Sequence, residues 1–441
     1  VPEAKRPSLF PESVASTAGV AYLTVLFAAG FLTNFLPTGT VNTGTVLLYL
    51  LACLLSSLGG LCLINPLRKQ IAIAAVATLA LSVLTLFKAS ILDSNPISQR
   101  AQELAIYFLG AWPFLFFIQI GTPEVRERLL KTLAIGLLGL SAFGIFQAVF
   151  SGSLPLNWFA LRGDNPFSVG EDQFRPTGLT GNPIIFSALL VFALALFAAL
   201  WLEKRKFRFL LALICSLAAN YLTYTRASVV AVIPVLILVW LLHNRFRIKH
   251  KIIALVAIVL TVAGTQYLLV KGDDLIIVQR LQGSSSESLR STLDHYRQIQ
   301  NASDAIVSHP WVGTGMGSQG SSLGPENVII TDGAWWILLL EFGAPLTILI
   351  VVVILLALIP ISKYVLRPES KDRALAIATL SFHAYILPAN FINSALLGHI
   401  SFGLYWVVLG LSFAAANSNL PLKPSRTPVR VLEVRKIVTA G

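Results

Sequence analysis

Apolar residues run along this chain in long blocks separated by short polar punctuation. Each block approaches the roughly 20 residues needed to cross a hydrocarbon core. Twelve are legible, near 14–36, 44–64, 70–88, 104–120, 129–150, 184–202, 207–224, 228–243, 252–270, 334–361, 374–391 and 399–416. A helix that is apolar on all sides belongs in lipid or at the centre of a bundle. The pattern therefore predicts an all-α membrane protein of about twelve transmembrane helices, in one integral membrane domain spanning 1–441.

Two of the polar interruptions are long, 151–183 and 271–333. Connections of that length usually carry function or structure of their own. In the second, Ser284 and Glu287 have capping-box spacing, and Leu289, Leu293, Tyr296 and Ile299 follow at helical intervals. They predict an amphipathic helix lying on the outer surface, with Arg290, Asp294 and Arg297 on neighbouring faces. The glycines of HPWVGTGMGSQG then predict a tight turn before the chain re-enters the membrane.

Composition agrees with the pattern: 55% of residues are hydrophobic and 12% charged, half the charge of a soluble domain. Cys53, Cys62 and Cys215 all fall within apolar blocks, which argues against a structural disulfide. The opening VPEAKRPSLFPESVAS is polar and predicts no cleavable signal, the first block remaining as an anchor.

The net charge of +12 would suit nucleic acid, but its distribution does not. With a cytoplasmic N-terminus, every inner segment is basic: Lys5 and Arg6; Arg68 and Lys69; Arg126, Arg128 and Lys131; Lys204 to Lys206 and Arg208; Arg245 to Lys251; Lys363 to Arg373; and the tail 417–441. This alternation is the positive-inside pattern. It predicts a multi-pass protein of a bacterial inner membrane with both termini in the cytoplasm. The basic residues left outside, Arg175, Arg226, Arg290 and Arg297 among them, are local exceptions and hence candidates for function.

Arg226 stands in NYLTYTRASVV, where the connection between two blocks is so short that its guanidinium must lie at headgroup level. An arginine at that depth is a functional hypothesis by default; the alternative is snorkelling to a lipid phosphate. Arg175 lies in EDQFRPTGLTGNP, and Arg290 on the outer helix. Convergent arginines make bidentate, charge-assisted bonds to a diphosphate better than lysines do. At an outer membrane surface, such a diphosphate belongs to a lipid-linked substrate.

Asp332, at the join of the second long segment and the block at 334–361, reads either as a helix N-cap or as a general base taking a proton from an attacking sugar hydroxyl. His295 and His309 lie in the same long segment and are accessory candidates, with Arg297 and Tyr224. Glu341 reads as a buried hydrogen-bond partner, and no histidine has the spacing of a zinc site. No phosphate-binding glycine loop or nucleic-acid module is present. Neither metal nor other cofactor is expected.

In their order, RPTGLTGNP, TYTRAS and RSTLDHYRQIQNASDAIVSHPWVGTGMGS, the last followed by a block containing LLLEFG, resemble the bacterial O-antigen ligase and O-antigen polymerase superfamily over roughly 160–345. The resemblance implies a polytopic glycosyltransferase fold and a metal-independent, inverting enzyme. It would use an undecaprenyl-diphosphate-linked glycan at the periplasmic face. Arg226 and Arg290 would correspond to the two arginines thought to bind the donor diphosphate. Asp332 stands where the ligases carry histidine, ahead of Gly343, and Ile184 where the family often has asparagine.

The departure at Asp332 favours a repeat-unit polymerase, whose acceptor is another lipid-linked repeat, over a ligase, whose acceptor is lipid A core. A polymerase also leaves room for a chain-length regulator as partner. A transporter or flippase for lipid-linked glycan is the reading from another class. It would place ionisable groups near the midplane and show internal repeats, whereas here the outer exceptions cluster at one face.

Overall fold

The computed structural model describes residues 12–35, 113–114, 116–118, 120, 122–150, 174–244, 286–315, 333–367, 373–397 and 399–418. Its helices are α1 (Glu12–Phe35), α2 (Pro123–Phe150), α3 (Pro183–Lys204), α4 (Phe207–Leu222), α5 (Arg226–His243), α6 (Ser286–Ser308), α7 (Ala334–Val365), α8 (Arg373–Ala389) and α9 (His399–Ser418), with a short 3-10 turn at Ala395–Leu397. The fold is all-helical among the described residues. Eight of these helices coincide with apolar blocks read from the sequence, and α6 with the expected outer helix. The blocks at 44–64, 70–88 and 252–270, and most of that at 104–120, lie outside the described residues, so the expected count of about twelve is carried only in part.

Among the described residues, five helices are long and apolar enough to cross a membrane: α2, α3, α5, α7 and the Ile400–Asn417 part of α9. This is an integral membrane protein. The helix faces sort accordingly. α3 is buried almost throughout, from Phe186 to Leu200, and packs against α4, α5 and α8 at the centre of the bundle. α4 leaves Phe207, Leu211, Ile214, Leu217 and Tyr221 exposed at helical spacing, an apolar stripe that only lipid would cover at no cost.

The bundle has two chemically distinct ends. At one, Arg373 donates from Nε to Val365 O (2.7 Å), from Nη1 to His243 O (3.0 Å) and from Nη2 to Leu242 O (2.6 Å). One cation thus caps the carbonyl ends of α5 and α7 at once, where the helix dipoles favour positive charge. Glu203 at the end of α3 accepts from the Ala374 amide at 3.0 Å. Lys204, Arg205, Lys206 and Lys363 belong to this basic end. Arg373→Ala leaves three terminal carbonyls without that donor and should cost roughly 3 kcal/mol; a lowered unfolding midpoint of the detergent-solubilised chain checks it.

The other end gathers the C-terminus of α2, the N-terminus of α3, the α4–α5 turn, the start of α7 and the α8–α9 turn. The Ala334 amide donates to Asn393 O and that of Trp335 to Asn390 O, both at 3.2 Å. Indole N–H groups of Trp335 and Trp336 donate to Leu387 O (2.8 Å) and Phe391 O (3.0 Å). The entry of α7, read from sequence as the neighbourhood of Asp332, is thereby pinned to the end of α8.

The long block at 334–361 is a broken helix. At Gly343 the backbone turns to φ 77°, ψ 176°, a region essentially reserved for glycine. The Ala344 amide, which would donate to Leu340 O in a continuous helix, donates instead to Pro310 O at 2.8 Å. Leu340 O receives the amide of Thr314 (2.7 Å) and its hydroxyl (2.9 Å). The segment after α6 thus replaces a helix rung of α7 with hydrogen bonds from outside, and Pro345, which has no N–H, permits the break. Gly313 completes the clasp at φ 67°; a Cβ there would lie 2.5 Å from Leu340 O.

Candidate functional site

Three sequence-read residues, Arg175, Tyr224 and Arg226, come together at the end of the bundle opposite the basic one. The segment that carries Arg175 is fixed from below by Gln147 of α2, whose amide donates to Gly178 O (3.2 Å) and accepts from Gly178 N (2.8 Å). Asn182 caps α3 by accepting from the Ile184 amide at 2.8 Å, the role its residue type favours. This locks the 175–182 turn against α2 and α3.

Arg175 then reaches across to the α4–α5 turn. Its Nε donates to Thr223 O at 2.9 Å and its Nη2 to Thr225 Oγ1 at 3.1 Å. The turn is tight because Tyr224 adopts a left-handed backbone, φ 50°, unusual for a residue with a side chain. Thr223 Oγ1 donates to Asn220 O (2.8 Å) and accepts from the Thr225 amide (3.3 Å), holding that shape. Arg175 is therefore a brace on the turn as well as a charge near it.

Arg226 is the first residue of α5, half-buried. Thr225, before it, makes no side-chain cap to the helix; its hydroxyl faces Pro183 O (3.4 Å), Thr223 O (3.4 Å) and Arg175. The first amides of α5 lack the cap that threonine normally provides. A helix N-terminus carries partial positive charge, so a guanidinium at its first residue is on the unfavourable side of the dipole. Two arginines and a helix start that its threonine does not cap thus put positive charge at this end of the bundle. Burial, with a further push from Tyr221, raises the Tyr224 phenol above its usual range. It stays a neutral hydroxyl at physiological pH, able to donate.

The other candidates are distributed along α6 and its surroundings. Arg297 is exposed on α6, and His309 is exposed just past its end, with Nδ1 3.1 Å from Ser308 Oγ. Arg290 and His295 belong to α6 by sequence position, but their side chains lie outside the described residues, as do Ser284 and the whole of Asp332. Gly333, next to Asp332, is buried at the entry of α7, on the same end of the bundle as Arg175 and Arg226. Glu341 is buried just before the break in α7, and the Glu341 carbonyl carbon and oxygen both lie about 2.6 Å from where a Gly313 Cβ would stand.

Residues 211–351 match the family model described as O-antigen ligase. The match supports membership of the O-antigen ligase and polymerase superfamily. It runs from α4 through the broken part of α7 and so contains Tyr224, Arg226, α6, Asp332 and Gly343, while Arg175 and Gln147 precede it. No curated protein matches the chain.

Sequence reasoning missed Gln147 and the clasp of Pro310 and Thr314. A single glutamine inside an apolar block was the available signal for the first. For the second it was Gly-Ala-Pro within a continuous apolar run.

Proposed function

We propose that this protein is an inverting membrane glycosyltransferase that draws a glycan from a polyprenyl diphosphate carrier, most specifically a repeat-unit polymerase of O-antigen type. The observation that carries the reading is the position of Arg226, at an uncapped helix start braced by Arg175, inside the segment that matches the O-antigen ligase family.

In this reading the basic end faces the cytoplasm and the arginine-bearing end the periplasm, across a bacterial inner membrane. The prenyl tail enters between helices, and the diphosphate sits at Arg226 with Arg290 as the second cation. An acceptor hydroxyl attacks the anomeric carbon from the face opposite the diphosphate. The new glycosidic bond forms as the carbon–oxygen bond to phosphate breaks, and the configuration inverts. The departing diphosphate takes the bonding electrons, and Arg226 stabilises that growing charge, an electrostatic term enlarged where water is excluded. The acceptor's proton passes to the Asp332 carboxylate.

The alternative acceptor is lipid A core, and the description of the matching family as ligase favours it. Asp332, standing where the resemblance places the ligases' histidine, favours the polymerase. Glycans from a host deleted for this gene, separated by size, decide between them. Single repeats on lipid A core mean that polymerisation has been lost and ligation survives. Long chains retained on the carrier, with bare core, make the protein a ligase. In the same assay Asp332→Asn should reduce product by about 100-fold, the lower range of general-base contributions; product at the wild-type level moves the base elsewhere.

A further inference from the structure

Every residue from Glu203 to Arg208 is exposed, and four of them are cations: Lys204, Arg205, Lys206 and Arg208. None of the four has a carboxylate at salt-bridge distance among the described residues. Two of the guanidiniums lie instead over aromatic rings of their own segment, Arg205 at 5.2 Å from the centroid of Trp201 and Arg208 at 4.9 Å from that of Phe209. Stacking of this kind orders a guanidinium without neutralising it. The turn itself is fixed, since Arg205 takes a left-handed backbone, φ 51°, and its amide closes α3 on Trp201 O at 2.8 Å.

The start of α2 adds to this charge. Glu127 pairs with Lys131 at 3.2 Å and is also within electrostatic reach of Lys204, so the first turns of α2 lie beside the α3–α4 turn. Further along, the two helices meet where Ser141 Oγ and Ser216 Oγ are 3.0 Å apart. Over 123–131 and 203–208, six exposed cations, with Arg128 and Lys131 among them, stand against three exposed carboxylates. Of those three, Glu127 holds Lys131 and Glu203 accepts from the Ala374 amide.

Both cationic stretches lead directly into apolar surface. On α2, Lys131 is followed one and two turns on by Ile135, 73% exposed, and Leu138; on α4, Lys206 is followed by Phe207, 72% exposed, and then Leu211 and Ile214. From Leu133 to Ala142, and from Phe209 to Ala218, every exposed residue is apolar. α2 is long and apolar enough to span a bilayer, which sets these stripes against acyl chains and the cations at headgroup level. A soluble anion would use the charge alone. A phospholipid with an anionic headgroup uses the charge and the stripes together.

We propose that α2 and the α3–α4 turn form a binding site for an anionic phospholipid, at the end of the bundle opposite Arg226. The phosphate sits among Lys131, Lys206 and Arg208, and the acyl chains run along Ile135 and Leu138 and along Phe207, Leu211 and Ile214. The inference rests on the membrane character of the chain and not on the proposed activity.

Trp201, under Arg205, reports on the site. The full chain is placed in vesicles of phosphatidylcholine and phosphatidylglycerol, with one lipid or the other brominated near the carbonyl. The emission lost on Trp201→Phe isolates this tryptophan. At equal mole fraction, brominated phosphatidylglycerol should associate there about fivefold more strongly than brominated phosphatidylcholine, the preference that one cation confers. Lys206→Gln/Arg208→Gln should bring that ratio to about one; both side chains are exposed, so the packing stays intact. Lys206→Arg/Arg208→Lys keeps the charge and should keep the preference. Lys363→Gln/Lys371→Gln removes as much charge from another basic segment and should leave the ratio unchanged. Equal association of the two lipids with the unsubstituted chain overturns the proposal. So does an equal fall in both glutamine variants, which would mean diffuse surface charge, or loss of preference in the charge-keeping variant. Preference erased by millimolar inorganic phosphate at constant ionic strength would make this a soluble-anion site and overturn it too.

Discussion

Arg226→Ala should abolish glycan transfer while leaving the protein in the membrane at its normal level. The side chain begins at the first residue of α5 and makes no helix rung that the substitution would remove. Its loss relieves a small repulsion from the helix dipole but also removes the contact that the side chain makes within the fold, so the amount of protein in the membrane is measured beside the product. Activity should nonetheless fall by roughly 100- to 1,000-fold, the range seen when one donor to a developing oxyanion is removed.

Arg226→Lys separates charge from geometry. A lysine retains the cation but not the planar fork that grips two oxygens, so activity should recover only partly. Normal product from Arg226→Ala would remove the diphosphate site from this turn altogether. Size-separated glycans, with membrane protein quantified in the same cells, give both readings. Arg175→Ala should differ, because Arg175 holds Thr223 and Thr225 directly, so its loss should lower stability together with activity.

The second large effect is expected at Gly343, and by another route. Gly343→Ala places a Cβ 2.5 Å from Trp311 O, on a backbone at φ 77°. Backbone strain alone costs about 1–3 kcal/mol, and the clash must be relieved by separating Pro310–Thr314 from α7. That separation frees Leu340 O and the Ala344 amide, two backbone groups that find no partner in hydrocarbon. The variant should therefore unfold at markedly lower temperature in detergent and lose product in proportion to protein. A stable Gly343→Ala protein with full activity would show that the clasp can open without consequence. Together the two variants distinguish a residue that acts on substrate from one that maintains the frame.

How much of this was visible in the sequence depended on the kind of interaction. The membrane helices were legible because each buries or exposes apolar surface along its whole length: the block read at 184–202 is α3 at Pro183–Lys204, and that read at 207–224 is α4 at Phe207–Leu222. Arg226 was legible for a steric reason, since a connection of a few residues leaves a guanidinium nowhere to go. The break in α7 was not, although Gly343 and Pro345 mark it. A hydrophobic run scores as one span whether or not its backbone ladder is continuous, and the replacement bonds come from residues some thirty positions earlier. Gln147 was illegible for a related reason: a lone amide announces that it needs partners but not which ones. Arg175 was read as a charge, whereas its geometry also makes it a brace, a distinction carried entirely by the position of Thr223 and Thr225.

The exchanged hydrogen bonds at the break in α7 also bear on how the protein is made. A span whose backbone ladder is interrupted at Leu340 and Ala344 is a poor substrate for insertion by itself, since lipid supplies neither donors nor acceptors. The chain solves this by order of synthesis. Pro310 and Thr314 leave the ribosome before Leu340 and Ala344, so the groups that complete the ladder are already available when the interrupted span arrives. Moving them to the far side of α7 in a circularly permuted chain would keep every contact of the finished fold, yet deprive the nascent span of its partners at the moment of entry.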